Sequence, residues 1–399
     1  MTRASAPSAF IVDGCRTAMG KVGGALASIR PDDLAALAIR SLVERNPGLD
    51  PNEIEDVYWG ATNQAGEDNR NVARLATLLA GLPITVAGAT VNRLCGSGMQ
   101  AVVSAAHSVI AGDTELCIAG GSESMSRAPF VLPRAESAYQ AAQPIADSRL
   151  GWRLVNPRWH ELYDQLSLGQ CAEYAAEKFG VSRERQDDWA VRSHRLAAHA
   201  WDSGRFAAEA IPVPLKKGGA LERDETVRAD SSMETLAKLR PVFVEGGSVT
   251  AGNSSPMNDG AAAVLIASEA AVERYGLTPI ARYVASGSVG VHPDLLTGPV
   301  PACHKVLAKA GWSLDEVDLI ELNEAFASQT VACIDELNAD PERVNVNGGA
   351  IAMGHPLGAS GARLVTTLVH ELRRRGDRKG LATMCIGVGQ GIALALETV

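Results

Sequence analysis

The chain alternates short runs of buried-strand character with stretches whose large apolar residues recur at helical spacing. Ala9-Phe10-Ile11-Val12 predicts a first buried strand, and Asp13 to Gly24 a glycine-punctuated loop. Asp32 or Asp33 is placed to cap a helix over Leu34 to Arg45. Val57 to Gly60 reads as a short strand and Asn71 to Leu79 as a helix. The β-prone Thr90-Val91-Asn92 leads to Cys95, and Ala101 to Ile110 then predicts a helix without a breaker. Glu115 to Gly120 is another buried strand. Strands alternating with helices mark an α/β architecture.

From Ser126 to about Ser255 the character changes. Charge and tryptophan increase, alternating strands thin out, Arg183 to Ser203 reads as a helix, and Glu222-Arg223-Asp224-Glu225 is a charged segment. Gly260 to Ala267 returns to buried-strand character. The last third then repeats the first. Val317 to Asn323 parallels Val57 to Asn63, Val344 to Gly349 parallels the approach to Cys95, and Gly380 to Gly387 parallels the 115–121 strand. Internal repetition of this kind implies two similar α/β halves. The expected division is an N-terminal half over 1–125 completed by 256–277, a loop or cap domain over 126–255, and a C-terminal half over 278–399.

Composition narrows the function classes. With 399 residues, 46% hydrophobic and 21% charged, the chain is long enough for several cores. A net charge of -9 offers no basic face for nucleic acid. Met1 to Phe10 lacks a signal-peptide apolar stretch, and no apolar run approaches transmembrane length. Cysteines stand at 15, 95, 117, 171, 303, 333 and 385, without a C-x-x-C pair. An odd number at wide spacing argues against a disulfide framework or a zinc cluster, so a cytoplasmic location and no metal are expected.

The chemistry centres on Cys95, in Arg93-Leu94-Cys95-Gly96-Ser97-Gly98, where a strand is expected to turn into a helix. Unpaired N–H groups and the helix dipole there favour a thiolate. An inert buried cysteine is the competing reading. Three clusters in the second half, each after an expected strand, decide between them. They are Asn323-Glu324-Ala325-Phe326, the glycine-rich loop around Gly354-His355-Pro356, and Cys385-Ile386-Gly387. Ligands of open α/β sheets bind outside the carboxyl ends of strands. No phosphate-binding G-x-x-x-x-G-K-[ST] occurs. A protease-like set of Cys95, His355 and Asn323 is the rival, but a second thiol suits a different task. One thiol attacks, and the other moves protons on and off carbon.

At these residues the sequence resembles the thiolase family over nearly the whole chain. Besides the motifs above, Gly120 to Ser126, Thr250 to Ser255 and Asn258-Asp259-Gly260-Ala261-Ala262 carry the likeness. The resemblance implies two βαβαβαββ halves in a five-layer αβαβα arrangement with an inserted loop domain. It implies a homodimer or homotetramer that uses CoA and acyl-CoA as substrates and needs no metal or redox cofactor. Thiolysis of a 3-ketoacyl-CoA, or the reverse Claisen condensation, is the implied reaction, with fatty-acid β-oxidation one setting for it. Carried over residue by residue, Cys95 is the acylated nucleophile, His355 its base and Cys385 the acid/base at carbon. Asn323 holds a water beside His355, and Gly387 shares an oxyanion hole with the Cys95 N–H. The implied CoA and substrate contacts are Arg228, Phe243, Ala251, Ser255, Leu168, Ala325 and Phe326. A non-catalytic carrier or a thiol hydrolase would be the alternatives of another class.

Acetoacetyl-specific members of that family carry a His where Ser167 stands, and a Met where Leu168 stands. The resemblance therefore leans to a degradative thiolase. Glu123 to Val131, Gly151-Trp152-Arg153 and Lys379 to Gly391 look like 3-oxoadipyl-CoA thiolases of aromatic catabolism. Such an acyl group ends in a carboxylate, and Arg127, Arg153 and Arg158 are the candidate cations for it.

Overall fold

The computed structural model describes residues 7–399. The elements that frame the site are labelled in chain order. The strands are β1 (Ala9–Thr17), β2 (Asp56–Gly60), β3 (Ala89–Val91), β4 (Leu116–Ser124), β5 (Asn258–Ser268), β6 (Ala281–Gly290), β7 (Leu319–Leu322), β8 (Lys379–Ile386) and β9 (Gln390–Thr398). The helices are α1 (Pro31–Glu44), α2 (Val72–Leu79), α3 (Ser97–Ala111), α4 (Leu168–Lys178), α5 (Arg183–Asp202), α6 (Pro299–Ala310), α7 (Ala327–Leu337) and α8 (Leu357–Arg375).

The strand order is β7-β8-β9-β6-β1-β5-β4-β2-β3. Read outward from its middle, each side gives the same sequence of partners. In the first half β1–β5 and β5–β4 are antiparallel, and β4–β2 and β2–β3 are parallel. In the second half β6–β9 and β9–β8 are antiparallel and β8–β7 parallel. The counterpart of β3 shrinks to a single bridge between Ile320 and Val344, in the stretch that parallels the approach to Cys95. Asn345 adopts φ 49°, which turns the chain away from extended geometry there. The halves meet edge to edge through Phe10–Arg282 and Ile11–Ala281.

Alternation along the strands creates the layers. On β5, Ala262, Val264 and Ile266 face a central core with Met99, Val102, Leu364 and Leu368 of α3 and α8. Ala261, Ala263 and Leu265 face an outer core with Leu34 and Ile39 of α1. On β9, Ile392 and Leu394 join the central core, while Ala393 and Ala395 face Val306 of α6 and Val331 of α7. Both faces of each half-sheet are therefore buried, which is why these strands read as continuous apolar runs. The result is the five-layer α/β fold.

Several local expectations change. The loop expected from Asp13 is strand as far as Thr17, because Asp13 to Arg16 pair with Leu265 to Ala262 after a bulge. Helix α1 starts at Pro31 with Arg30 at its cap and no side-chain cap bond. Proline at the first helical position supplies the start, and Asp32 and Asp33 fall inside the first turn. Helix α3 begins at Ser97, four residues before the expected Ala101. Residues 94–111 also reach a mean hydropathy of 1.3 over 18 residues, a membrane-like run that sequence reading passed over. In the fold its apolar surface is spent inside, between the two half-sheets.

The segment between β4 and β5 carries α4 and α5 and is anchored to the first half by Arg16. That buried guanidinium pairs with Glu209 at 2.6 Å and Asp224 at 2.8 Å, and lies over the Phe206 ring.

Candidate active site

Two glycine-lined contacts bring the halves' reactive loops together. A Cβ on Gly98 of α3 would lie 2.6 Å from the Gly358 carbonyl, and one on Gly361 of α8 would lie 2.2 Å from the Met99 nitrogen. Only glycine admits such approach. Helices α3 and α8 thus start side by side, one just after Cys95 and the other just after His355.

The turn before α3 is built to present Cys95. Leu94 sits at φ 48°, an unusual conformation for a non-glycine residue. The Ser97 hydroxyl donates to the Leu94 carbonyl at 2.5 Å and accepts from the Arg93 N–H at 2.9 Å. Across from it, Gly387 opens the turn after β8, and Val388 beside it has φ 63°. Burial pushes the Cys95 thiol up to about 11, although the N–H groups of Gly387 and of Cys95 itself donate toward the sulfur and oppose that shift. The thiolate expected from the helix start is therefore not the resting form. Desolvation outweighs the dipole, so the proton needs a base.

His355 supplies one. Its backbone N–H donates to Asn258 Oδ1 at 3.1 Å, and the Asn258 amide in turn donates to the Gly20 carbonyl at 2.9 Å. Its Nδ1 lies 2.6 Å from Ser360 Oγ, whose own proton goes to the Pro356 carbonyl at 2.9 Å. Ser360 must then accept from Nδ1–H, which leaves Nε2 as the acceptor. Asn323 Nδ2 lies 3.4 Å from that Nε2, and Asn323 Oδ1 is buried without a partner among the described residues. Burial, then the Arg363 charge, lowers the His355 pKa to about 3. The imidazole is neutral at pH 7. The Cys385 thiol is held well above its ordinary value by burial first and then by the nearby Cys95 and Cys333.

Cys95, His355, Cys385 and Gly387 line one cavity of about 310 Å³ together with Leu168, Phe243, Ser255, Ala325 and Phe326. Phe243 and Phe326 meet edge to face, 6.0 Å between centroids. The Ser255 hydroxyl donates to the Ala325 carbonyl at 3.0 Å. Asn323 stands behind His355 rather than on the cavity wall. Arg228 and Ala251 are exposed and do not line it. Ser167 caps α4 in a reciprocal box with Gln170 and also borders the cavity. A second cavity of about 310 Å³ shares Cys95, Leu168, Leu357 and Gly387 and adds Arg149 and Arg153. Of the other candidate cations, Arg127 is paired with Glu67 and Arg158 is exposed.

Sequence reading missed the residues that hold these loops. Buried Glu324 accepts from Trp189 Nε1 at 2.9 Å, Ser193 Oγ at 2.7 Å, Asn345 Nδ2 at 2.9 Å and the Ile351 N–H at 3.1 Å. It thereby ties α5 and the His355 approach to the residue after Asn323. Glu123 accepts from Thr62, Asn63 and the Gly358 N–H in the same way. Asn258, Glu324 and Ser360 lie inside or beside quoted motifs, but their partners are distant in sequence and no spacing exposes them. Among the described residues no group of His, Cys, Asp and Glu side chains is arranged to hold a metal ion.

Known proteins give the family. The thiolase N-terminal domain family matches residues 9–270 and the thiolase C-terminal domain family residues 277–398. A β-ketoadipyl-CoA thiolase of Pseudomonas aeruginosa is 53% identical over 396 residues, 98% of this chain and 99% of the relative. A 3-oxoadipyl-CoA/3-oxo-5,6-dehydrosuberyl-CoA thiolase of Escherichia coli is also 53% identical, over 398 residues, with 98% and 99% covered. The crystal structure of a Bacillus anthracis acetyl-CoA acetyltransferase superposes with a TM-score of 0.92 at 40% identity, covering 98% of this chain and 99% of the other. The chain belongs to the thiolase family, and its activity is acyl transfer between CoA thioesters.

Proposed function

We propose that this thiolase cleaves 3-ketoacyl-CoA thioesters whose acyl tail ends in a carboxylate, of the 3-oxoadipyl type, through an acyl group carried on Cys95. The observation that carries the chemistry is one cavity holding two thiols and a neutral imidazole whose Nε2 accepts. His355 Nε2 takes the Cys95 proton, and the sulfur attacks the 3-keto carbon. The C2–C3 bond breaks, its electron pair passing to the acetyl-CoA enolate. Cys385 protonates that carbon and acetyl-CoA leaves. A second CoA then gives its thiol proton to Cys385 and attacks the acyl group, and Cys95 recovers its proton from His355. The N–H groups of Cys95 and Gly387 face the acyl oxygen, and protonated His355 with a water on Asn323 faces the thioester oxygen.

The dicarboxylate reading draws its support from the two relatives, whose names specify adipyl and suberyl chains, and Ser167, which caps α4 where acetoacetyl-specific members carry His, favours a degradative thiolase. Fatty-acid β-oxidation is accordingly the weaker setting. Arg228 and Ala251 are assigned to the outer part of bound CoA, beyond the cavity mouth. Seven free, buried cysteines suit a reducing cytoplasm. A homodimer or homotetramer is the proposed assembly, supported by the open sheet edge at β3 and by exposed Leu78, Leu79 and Ile84 nearby in the chain.

The test is a comparison of 3-oxoadipyl-, 3-oxohexanoyl- and acetoacetyl-CoA, following loss of the ketoacyl absorbance with added CoA. Highest kcat/KM for the dicarboxylate supports the proposal. Equal or higher kcat/KM for 3-oxohexanoyl-CoA would refute the substrate class, and cleavage without a thiol acceptor would indicate hydrolysis instead.

A further inference from the structure

Resting on that substrate class, we infer that the second cavity receives the acyl tail and that Arg153 binds its terminal carboxylate. The cavity shares Cys95 and Gly387 with the first, so it begins where the acyl group is attached. Its remaining wall is polar in a way the first is not, with Thr62, Asn92, Ser148, Arg149 and Arg153. Among the described residues no Asp or Glu lines either cavity. The buried Glu123 carboxylate stands behind Thr62 and is felt at Cys95, so a carboxylate entering here needs a cation to offset both that repulsion and its lost hydration.

Two cations face this space, and only one is free for the task. Arg149 is held by Asp147, its Nε donating to Oδ2 at 2.7 Å and its backbone N–H to Oδ1 at 3.0 Å. Arg153 is half-buried and has no carboxylate partner among the described residues. Its contact is a 3.4 Å hydrogen bond from Nη1 to the Ser148 carbonyl, which steadies one edge of the guanidinium and leaves donors over. A planar fork of this kind matches a carboxylate with two parallel hydrogen bonds. The adjacent Trp152 fixes the segment, donating from Nε1 to the Leu166 carbonyl at 3.0 Å. Its ring would lie 3.2 Å from a Cβ on Gly387, so the loop bearing Arg153 packs directly on the reacting centre. Arg127 is spent on Glu67 and Arg158 does not reach the cavity.

The test is the ratio of kcat/KM for 3-oxoadipyl-CoA to that for 3-oxohexanoyl-CoA, equal in chain length but without the carboxylate. Arg153→Met should lower this ratio by about 10- to 100-fold, the worth of a hydrogen-bonded charge pair, mainly through KM for the dicarboxylate. Arg153→Lys should retain part of it, and Arg158→Met should keep the wild-type ratio. If Arg153→Met loses both substrates equally, the residue is structural and the inference falls. If the ratio is unchanged while wild type prefers the dicarboxylate, the inference falls and the substrate class stands. If wild type shows no preference, both fall.

Discussion

His355 Nδ1 stands 2.6 Å from the hydroxyl of Ser360, one turn along the helix that begins just beyond it. Because that hydroxyl gives its own proton to the Pro356 carbonyl, the contact fixes which imidazole nitrogen can act as base. Ser360→Ala should let the ring change tautomer. The expected result is a fall in kcat of roughly 10-fold or more, with KM for CoA little altered. Steady-state kinetics check it, and an unchanged kcat would show that Asn323 alone orients the ring.

The two thiols have separable duties. Cys95→Ala should abolish the acyl-enzyme adduct seen by mass spectrometry after incubation with acyl-CoA. Cys385→Ala should still form that adduct but lose exchange of solvent deuterium into the acetyl-CoA methyl group. Loss of both signals in both variants would contradict the division of labour.

The seam between α3 and α8 predicts a mutation of decided sign. Alanine favours an isolated helix over glycine by about 1 kcal/mol. At Gly361, however, its Cβ would lie 2.2 Å from the Met99 backbone nitrogen, which has no flexible end to move. Overpacking should win, and Gly361→Ala should destabilise the protein by about 1–3 kcal/mol. It should also reduce turnover, because the same seam sets Cys95 against His355. Denaturant unfolding and an activity assay measure the two effects, and a raised unfolding midpoint would refute the packing argument.

Burial of neutral His355 makes stability depend on pH. Its pKa falls from an ordinary 6.5 to about 3 in the folded protein. Below 6.5 the unfolded chain takes up a proton that the folded chain refuses, so this group's contribution is intact above pH 6.5 and declines as pH falls toward 3. The fall in Tm from pH 7.5 to pH 5 should therefore be larger for wild type than for His355→Gln. Equal falls would mean that His355 is not buried neutral.

The sequence by itself determined the duplicated α/β plan and singled out an inserted segment and Cys95, His355, Asn323 and Cys385, which the fold brings together. It could do so because strands buried on both faces write continuous apolar runs, and because reactive residues cluster at strand ends among glycines. Where strands end was less legible. Asp13 to Arg16 continue β1 because β5, some 250 residues away, pairs with them, and Arg16 and Thr17 pair as well with Ala210 and Ile211. Tertiary structure alone decided the protonation states, since the Cys95 helix start favours a thiolate locally while burial by the other half keeps the thiol protonated. It likewise decided which cations face the second cavity, Arg149 and Arg153, and which of the four are paired. Arg127, Arg149, Arg153 and Arg158 are alike in sequence, and only folding shows that Glu67 and Asp147 occupy two of them. Charge pairing and desolvation depend on what surrounds a group in space, and that information is distributed over the whole chain.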